Sequence, residues 1–565
     1  MAVPNQKLEN LLNLALDATP EEREKSDSLE VGYSPETKMW EIIVKYSGSL
    51  DEIRSLGVQV EEMRNEYAIL TVPELLISQV TAYPQIEYVE KPKSLFFSVI
   101  QAKSASCIDQ IQQVSPNLTG KDTLVGVLDS GIDYYHDDFR NPDGTTRILG
   151  IWDQTTGEIY TEEQINQALE SGSREAARQI VPSWDGSGHG TAVAGIAAGN
   201  TGVAYDSKLL VVKLGMPASD GFPRTTELMR GVNAVINRAV DMNRPIAVNI
   251  SFGNTYGSHD GSSLLETYLD DMSNFGRTSI IVGSGNEGAA GGHTSGYLTM
   301  NRGVGEEQVI ECSIAPYETG INLQLWKGYV DQFTIRIQTP RGDILPKLDE
   351  RIGTQRQLSG GTQILIYYGK PNPYSLAQEI YFDFIPVDTY LDSGIWKIIL
   401  TPTYLVSGNY DLWLPSSTVR NASTVFLRPT PETSLTIPSS ADKVITVGAY
   451  DAHSRVFADF SGRGYTRVIG RVKPDLIAPG VNIAAPQSGG GFASFTGTSF
   501  ATPMVTGSAA LLMEWGIVKG NDPFLYGEKM KAYLRRGAKQ LPGFTRYPNP
   551  EVGYGVLCVA DSFTR

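Results

Sequence analysis

Four near-continuous apolar runs constrain this chain most: "TLVGVLD" from Thr123, "KLLVVKLG" from Lys208, "PIAVNISFG" from Pro245 and "SIIVGSGN" from Ser279. A strand with one face in water alternates apolar and polar residues, whereas a strand covered on both faces reads as an unbroken apolar run. Helical segments lie between the runs, among them "TAVAGIAAG" and "TTELMRGVNAVINRAVDM". Buried strands alternating with helices predict an α/β domain around a parallel sheet. Its ligands should bind beyond the C-terminal ends of the strands.

Two stretches break that style. Residues 1–98 place strand-like "KMWEIIVKY", "YAILTVP" and "IEYVE" around helical "SLDEIRSLG" and "PELLISQVTAYPQ", a split βαβ pattern for a small α+β unit. Residues 305–435 alternate at period two, as in Ile321, Leu323, Leu325, then Phe333, Ile335, Ile337, then Tyr410, Leu412, Leu414. Turn signals such as "TPRGD" and "GKPNP" separate these segments, which predicts an inserted all-β sandwich, jelly-roll-like in style. "KVITVGAYD" then resumes the buried-strand pattern, so the α/β domain is expected in two parts, 99–304 and 436–565.

Bulk properties exclude several classes. A net charge of −16 over 565 residues argues against nucleic acid, which wants a basic face. No apolar run is long enough to span a membrane, and the N-terminus shows no secretory signal. Cys107, Cys312 and Cys558 lie far apart in sequence, so neither a disulfide framework nor a thiolate zinc site is expected. No carboxylate cluster has convincing metal-ligand spacing, and no metal or other cofactor is expected.

Three polar residues interrupt the α/β pattern. Asp129 ends its strand in "LVGVLDSGID", His189 lies in "DGSGHGTAVAG" before a helix, and Ser499 lies in "GTSFATP" at another helix start. Each has an ordinary reading: a turn residue, a surface histidine, a helix cap. Together they offer a nucleophile, a base and an orienting carboxylate. Asn286, in "GSGNEG" after a buried strand, is either a left-handed turn residue or an oxyanion donor beside the Ser499 N–H. The order Asp, His, Asn, Ser is one of the known triad orders with its oxyanion residue.

"DSGID", "GHGTAVAGIAAG", "SGNEG" and "GTSFATPMVTGSAALL" resemble the signature blocks of subtilisin-like serine proteases over about 120–300 and 436–560. The resemblance implies Asp129 as orienting carboxylate, His189 as base then acid, Ser499 as nucleophile and Asn286 as oxyanion donor. It implies a peptide substrate bound as an extended strand. The segments Lys213, Leu214, Gly215, Met216 and Ser251, Phe252, Gly253 would flank that strand, with Gly283, Ser284 and Gly285 lining the pocket for the side chain before the cut. Ala192 stands where the family often has a second histidine, and "AAGNTGVAYDSKLLVVK" is too short to hold the calcium loop of secreted members.

By the same resemblance, residues 1–98 are a prodomain, cut autocatalytically near Ser98–Val99 and able to remain bound afterwards. Prodomain, shortened calcium region and β-insertion together resemble the Csp germination proteases of clostridia. This implies limited proteolysis of a cortex-lytic enzyme precursor in the spore. A related subtilase of anaerobes with another substrate, a partner-binding pseudoprotease and a structural role for the insertion stay open as alternatives.

Overall fold

The computed structural model describes residues 7–20, 32–35, 37–63, 66–91, 98–113, 116–215, 223–350, 353–468 and 470–563. The chain divides into two compact units, Met1–Phe97 and Ser98–Arg565.

In the first unit Met39–Tyr46 is the central strand. Tyr67–Pro73 pairs antiparallel along one edge, and Tyr33–Ser34 and Ile86–Glu90 share the other. Period-two patterning sends Trp40, Ile42, Val44 and Tyr46 into the core with Leu70, Val80 and Val89. A further edge strand, Gln59–Met63, completes the sheet. Its sequence QVEEM carries no alternation because four of its five residues are exposed.

In the second unit, Ile445–Asp451, Thr278–Gly283, Ile246–Ile250, Leu124–Asp129, Lys208–Lys213 and Ile148–Asp153 lie side by side, all parallel. Leu476–Pro479 extends the sheet in parallel, and Val456–Phe457 and Glu158–Thr161 pair antiparallel at its margins. Leu124–Asp129 and Thr278–Gly283 are buried at every residue, as their unbroken apolar runs require. Helices cover both faces. His189–Ala198 and Thr498–Met513 pack on one, where Val193, Ile196, Met504 and Val505 join the largest core. Thr225–Asp241 and Leu264–Met272 pack on the other. Asp129 pairs with Lys213 in register, so both stand where the chain leaves the sheet.

The β-rich block consists of two antiparallel sheets. One runs His293–Tyr297, Asn409–Trp413, Ile321–Gly328, Ala377–Pro386, Thr362–Tyr368, Gly353–Ser359; the other runs Gln332–Gln338, Gly394–Tyr404, Gln308–Ile314, Val425–Phe426. Leu323, Leu325 and Phe382 of the first share a core with Ile335, Ile398 and Leu400 of the second. The first sheet begins at His293, ahead of the residue-305 boundary, because "HTSGY" pairs with Asn409–Trp413 without an apolar alternation of its own.

One expectation is overturned. Cys107 and Cys558 form a disulfide across a separation of 451 residues, with Cα atoms 4.9 Å apart. Distance along the chain says nothing about distance in space once both termini of a domain return to one sheet. Cys312 is a free thiol in the insertion core, where burial pushes its pKa up to about 12.

Among the described residues, no helix is long and apolar enough to cross a membrane, and no three His, Cys, Asp or Glu side chains gather as a metal site.

Candidate active site

Asp129 is fully buried at the end of its strand and accepts at Oδ1 from the Ser130 N–H at 2.8 Å and from His189 Nδ1 at 2.7 Å. His189 opens the helix His189–Ala198, and Gly188 before it takes φ +78° to turn the chain in. The helix can seat this closely because residue 190 is glycine. A Cβ there would lie 2.2 Å from the Gly131 carbonyl oxygen and 3.0 Å from the Asp129 Cβ. Burial by itself would lower the His189 pKa. The Asp129 charge and hydrogen bond, with Asp185 adding, outweigh it and hold the imidazole above its ordinary value.

The loop before His189 is organised by Asp185, which sequence reasoning left without a role. Its Oδ1 accepts from the Ser130 hydroxyl at 2.9 Å and the Gly188 N–H at 2.9 Å. Its Oδ2 accepts from the Thr191 N–H at 2.8 Å and hydroxyl at 2.7 Å. Ser130 Oγ in turn accepts from the Gly190 N–H at 3.0 Å. A carboxylate four residues before the histidine, among glycines, was the signal available.

Ser499 is the second residue of the helix Thr498–Met513. Its hydroxyl donates to the Ser251 carbonyl at 3.3 Å, and the Ser251 hydroxyl donates to the Ser499 carbonyl at 3.1 Å. Among the described residues Ser499 makes no hydrogen bond to His189. A serine hydroxyl reorients by rotation about one bond, so a base close by can take it up when a substrate enters. The imidazole lies 5.4 Å from the Phe500 ring and 6.0 Å from the Phe252 ring, ring centre to ring centre, placing it beside both serine-bearing segments.

Asn286 Oδ1 accepts from the Thr498 N–H at 3.0 Å and hydroxyl at 3.1 Å. This fixes the orientation of the amide and leaves Nδ2 as the outward donor beside Gly497 and the start of the Ser499 helix. Asn286 is exposed.

Of the residues expected to flank a substrate strand, Leu214, Phe252 and Gly253 share one cavity, whose lining includes none of Asp129, His189, Asn286 and Ser499. Leu214 donates its N–H to the Asp129 carbonyl at 2.8 Å and lines a cavity of about 450 Å³ with Phe252 and Gly253. Lys213 is tied back to Asp153 at 3.2 Å, and a Cβ on Gly215 would meet Thr155 at 2.4 Å. Gly253 and Gly285 face each other across Thr436: a Cβ on either would lie 2.4 Å from a Thr436 side-chain atom. Thr436, which sequence reasoning did not single out, donates its N–H to the Ser284 carbonyl at 3.0 Å. Gly283 lies against Thr502, and Ser284 is buried with its hydroxyl 3.3 Å from that of Ser461, away from the cleft. Met216 lies outside the described residues. Ser98 and Val99 begin the helix Ser98–Ala105, and the residues just before them, 92–97, are also outside.

Comparison with known proteins adds a lineage. The family model described as "Csp protease B prodomain" matches residues 6–93, and that described as "Subtilase family" matches 120–306 and 407–555. The solved structure of the Clostridium perfringens CspB protease superposes with a TM-score of 0.76 and 38% identity, covering 82% of this chain and 96% of that one. Minor extracellular protease Vpr of Bacillus subtilis is 24% identical over 83% of this chain and 56% of its own. Serine protease AprX of the same organism is 36% identical over 18% of this chain and 26% of its own. The chain thus spans about a quarter to about half the length of these two curated relatives.

Proposed function

The chain belongs to the subtilase family and carries a Csp-type prodomain; on that premise we propose that it is a serine endopeptidase that matures by cutting itself and then acts by limited proteolysis. Ser499 Oγ attacks the scissile carbonyl while His189 Nε2 takes its proton. Asp129 holds the Nδ1–H tautomer and stabilises the imidazolium, which then gives the proton to the leaving amine. The oxyanion is met by Asn286 Nδ2 and the Ser499 N–H, where the helix start adds its dipole. The 2.7 Å contact between His189 and Asp129 carries this reading, since it presets the base for that one role.

The peptide lies as an extended strand between Lys213–Leu214–Gly215 and Ser251–Phe252–Gly253, with the Gly283–Ser284–Gly285 segment lining the pocket for the side chain before the cut. Residues 1–98 serve as prodomain, 99–304 and 436–565 as catalytic domain, and 305–435 as its insertion. Self-cleavage falls near Ser98–Val99, after which the prodomain is able to remain associated as a separate chain. Similarity to the Csp group supports a spore location and a cortex-lytic enzyme precursor as substrate. Intact mass spectrometry of wild type beside Ser499→Ala tests the assignment. Two fragments parted near residue 98 are expected from wild type and one whole chain from the variant. A variant that still splits at the same bond would refute it.

A further inference from the structure

Past its strand Asn409–Trp413 the β-insertion makes one short 3-10 turn, Ser417–Val419, and this turn meets the neighbour of the candidate oxyanion donor. The Ser417 N–H donates to the Glu287 carboxylate, 3.1 Å from Oε1 and 3.2 Å from Oε2, and the Ser417 hydroxyl donates to Oε1 at 3.0 Å. Glu287 follows Asn286 in sequence and is buried. Arg420, also buried, ties the same two segments together. Its guanidinium donates to the Pro415 carbonyl at 2.9 Å and the Ala290 carbonyl at 2.7 Å, and it supplies positive charge near Glu287. The segment reaches the other candidate substrate wall as well. The Leu414 carbonyl accepts from the Thr255 hydroxyl at 2.8 Å, and Ser416, Thr418 and Val419 border the cavity that Phe252 and Gly253 line.

Little else holds the pair Asn286–Glu287. Ser284 and Gly288 on either side donate their N–H groups to the Val447 and Phe460 carbonyls at 2.8 and 2.9 Å. Between them, neither Asn286 nor Glu287 donates its backbone N–H to any described residue, and the Glu287 carbonyl meets only the nearby Ala290 N–H, at 3.2 Å. The two residues are therefore fixed by their side chains. Asn286 is held through Oδ1 by Thr498, and Glu287 is held through its carboxylate by Ser417. Hydrogen bonds to a charged acceptor are among the stronger ones, and this set is largely shielded from water.

We propose that Ser417 is a positioning residue for the reaction: through Glu287 it holds the Asn286 backbone, and with it the Nδ2 donor, where the oxyanion forms. The inference rests on the peptidase reading and gives the insertion a part in catalysis. An oxyanion donor acts only within hydrogen-bond reach of the developing charge. Releasing its backbone therefore costs transition-state stabilisation while the walls that hold the substrate stay in place.

Ser417→Pro removes both donors at once. Proline is tolerated at the first residue of a helical turn, and Ser416 already has the extended backbone, φ −52° and ψ 146°, that a following proline favours. Steady-state kinetics on a peptide substrate, with inhibition by a peptide aldehyde whose serine adduct carries the oxyanion, test the proposal in wild type, Ser417→Pro, Asn286→Ala and the double variant. Ser417→Pro should lower kcat about tenfold or more with KM within about twofold, and aldehyde affinity should fall in step with kcat/KM. In the Asn286→Ala background the same change should cost less than about twofold, because the donor it positions is gone. Ser417→Thr, which keeps both donors, should keep the wild-type kcat. Should Ser417→Pro fail to fold, Ser417→Ala loses the hydroxyl alone and should show the same pattern at about threefold. A lowered melting temperature with kcat unchanged, or an equal loss with and without Asn286, would overturn the proposal and leave the peptidase reading standing. No turnover by wild type would overturn that reading and the proposal with it.

Discussion

At the scale of single residues, His189 is held between two opposing pressures. Burial disfavours its charged form, while Asp129 at 2.7 Å and Asp185 behind it favour that form, and the acids prevail. A general base must be neutral to accept a proton, so activity should rise with pH through a midpoint above the ordinary histidine value of about 6.5. The folding contribution of the pair runs the other way. It is full below that value and fades as pH rises through the raised pKa. Asp129→Asn should lower kcat by about 10,000-fold by freeing the wrong tautomer, and should move the residual activity's midpoint to lower pH. A pH profile of kcat/KM for both proteins checks this, and an unmoved midpoint would count against Asp129 as the cause. These residues were legible because each interrupts a pattern: Asp129 ends an unbroken apolar run, and His189 and Ser499 stand among small residues at helix starts. Asp185 was not, since one carboxylate in a glycine-rich loop looks like any turn residue until its donors converge on it.

At the scale of elements, the helix His189–Ala198 has no side-chain cap from Gly188. Asp185 does that work from a distance through Gly188 and Thr191, and it holds Ser130 against Asp129 at the same time. Asp185→Ala leaves buried N–H groups unmet, each costing about 1–3 kcal/mol. The melting temperature should fall, and kcat should fall more than KM rises, because what loosens is the base and not the substrate walls. Calorimetry with steady-state kinetics separates these effects, and an unchanged kcat would relegate Asp185 to a purely structural role. Buried strands were readable because burial on both faces leaves a compositional mark on every residue. Gln59–Met63 and His293–Tyr297 left none: the first is exposed at four of its five residues, and the second carries no apolar alternation, so each takes its conformation from its partner's backbone.

At the scale of the whole molecule, the Cys107–Cys558 bond joins the start of the second unit to its end. No sequence rule pairs cysteines 451 residues apart, because the pairing exists only through the folded α/β domain between them. Cross-linking so long a loop restricts the unfolded chain, and losing it should cost roughly 2–5 kcal/mol. Cys107→Ser, or reduction of wild type, should therefore lower the melting temperature while leaving the cleft intact. Cys312 is already a free thiol, so among the described residues a mild reductant acts on this bond alone. Equal melting temperatures with and without reductant would show that the bond adds nothing.

The claim on which the rest depends is that Ser499 is a working nucleophile. Mature wild type, Ser499→Ala and His189→Ala would each be treated with a fluorophosphonate, which reacts only with an activated serine, and the adduct located by peptide mapping. The account predicts one adduct per wild-type molecule, on Ser499, and almost none on either variant. An adduct on another serine, or equal labelling of wild type and His189→Ala, would contradict it.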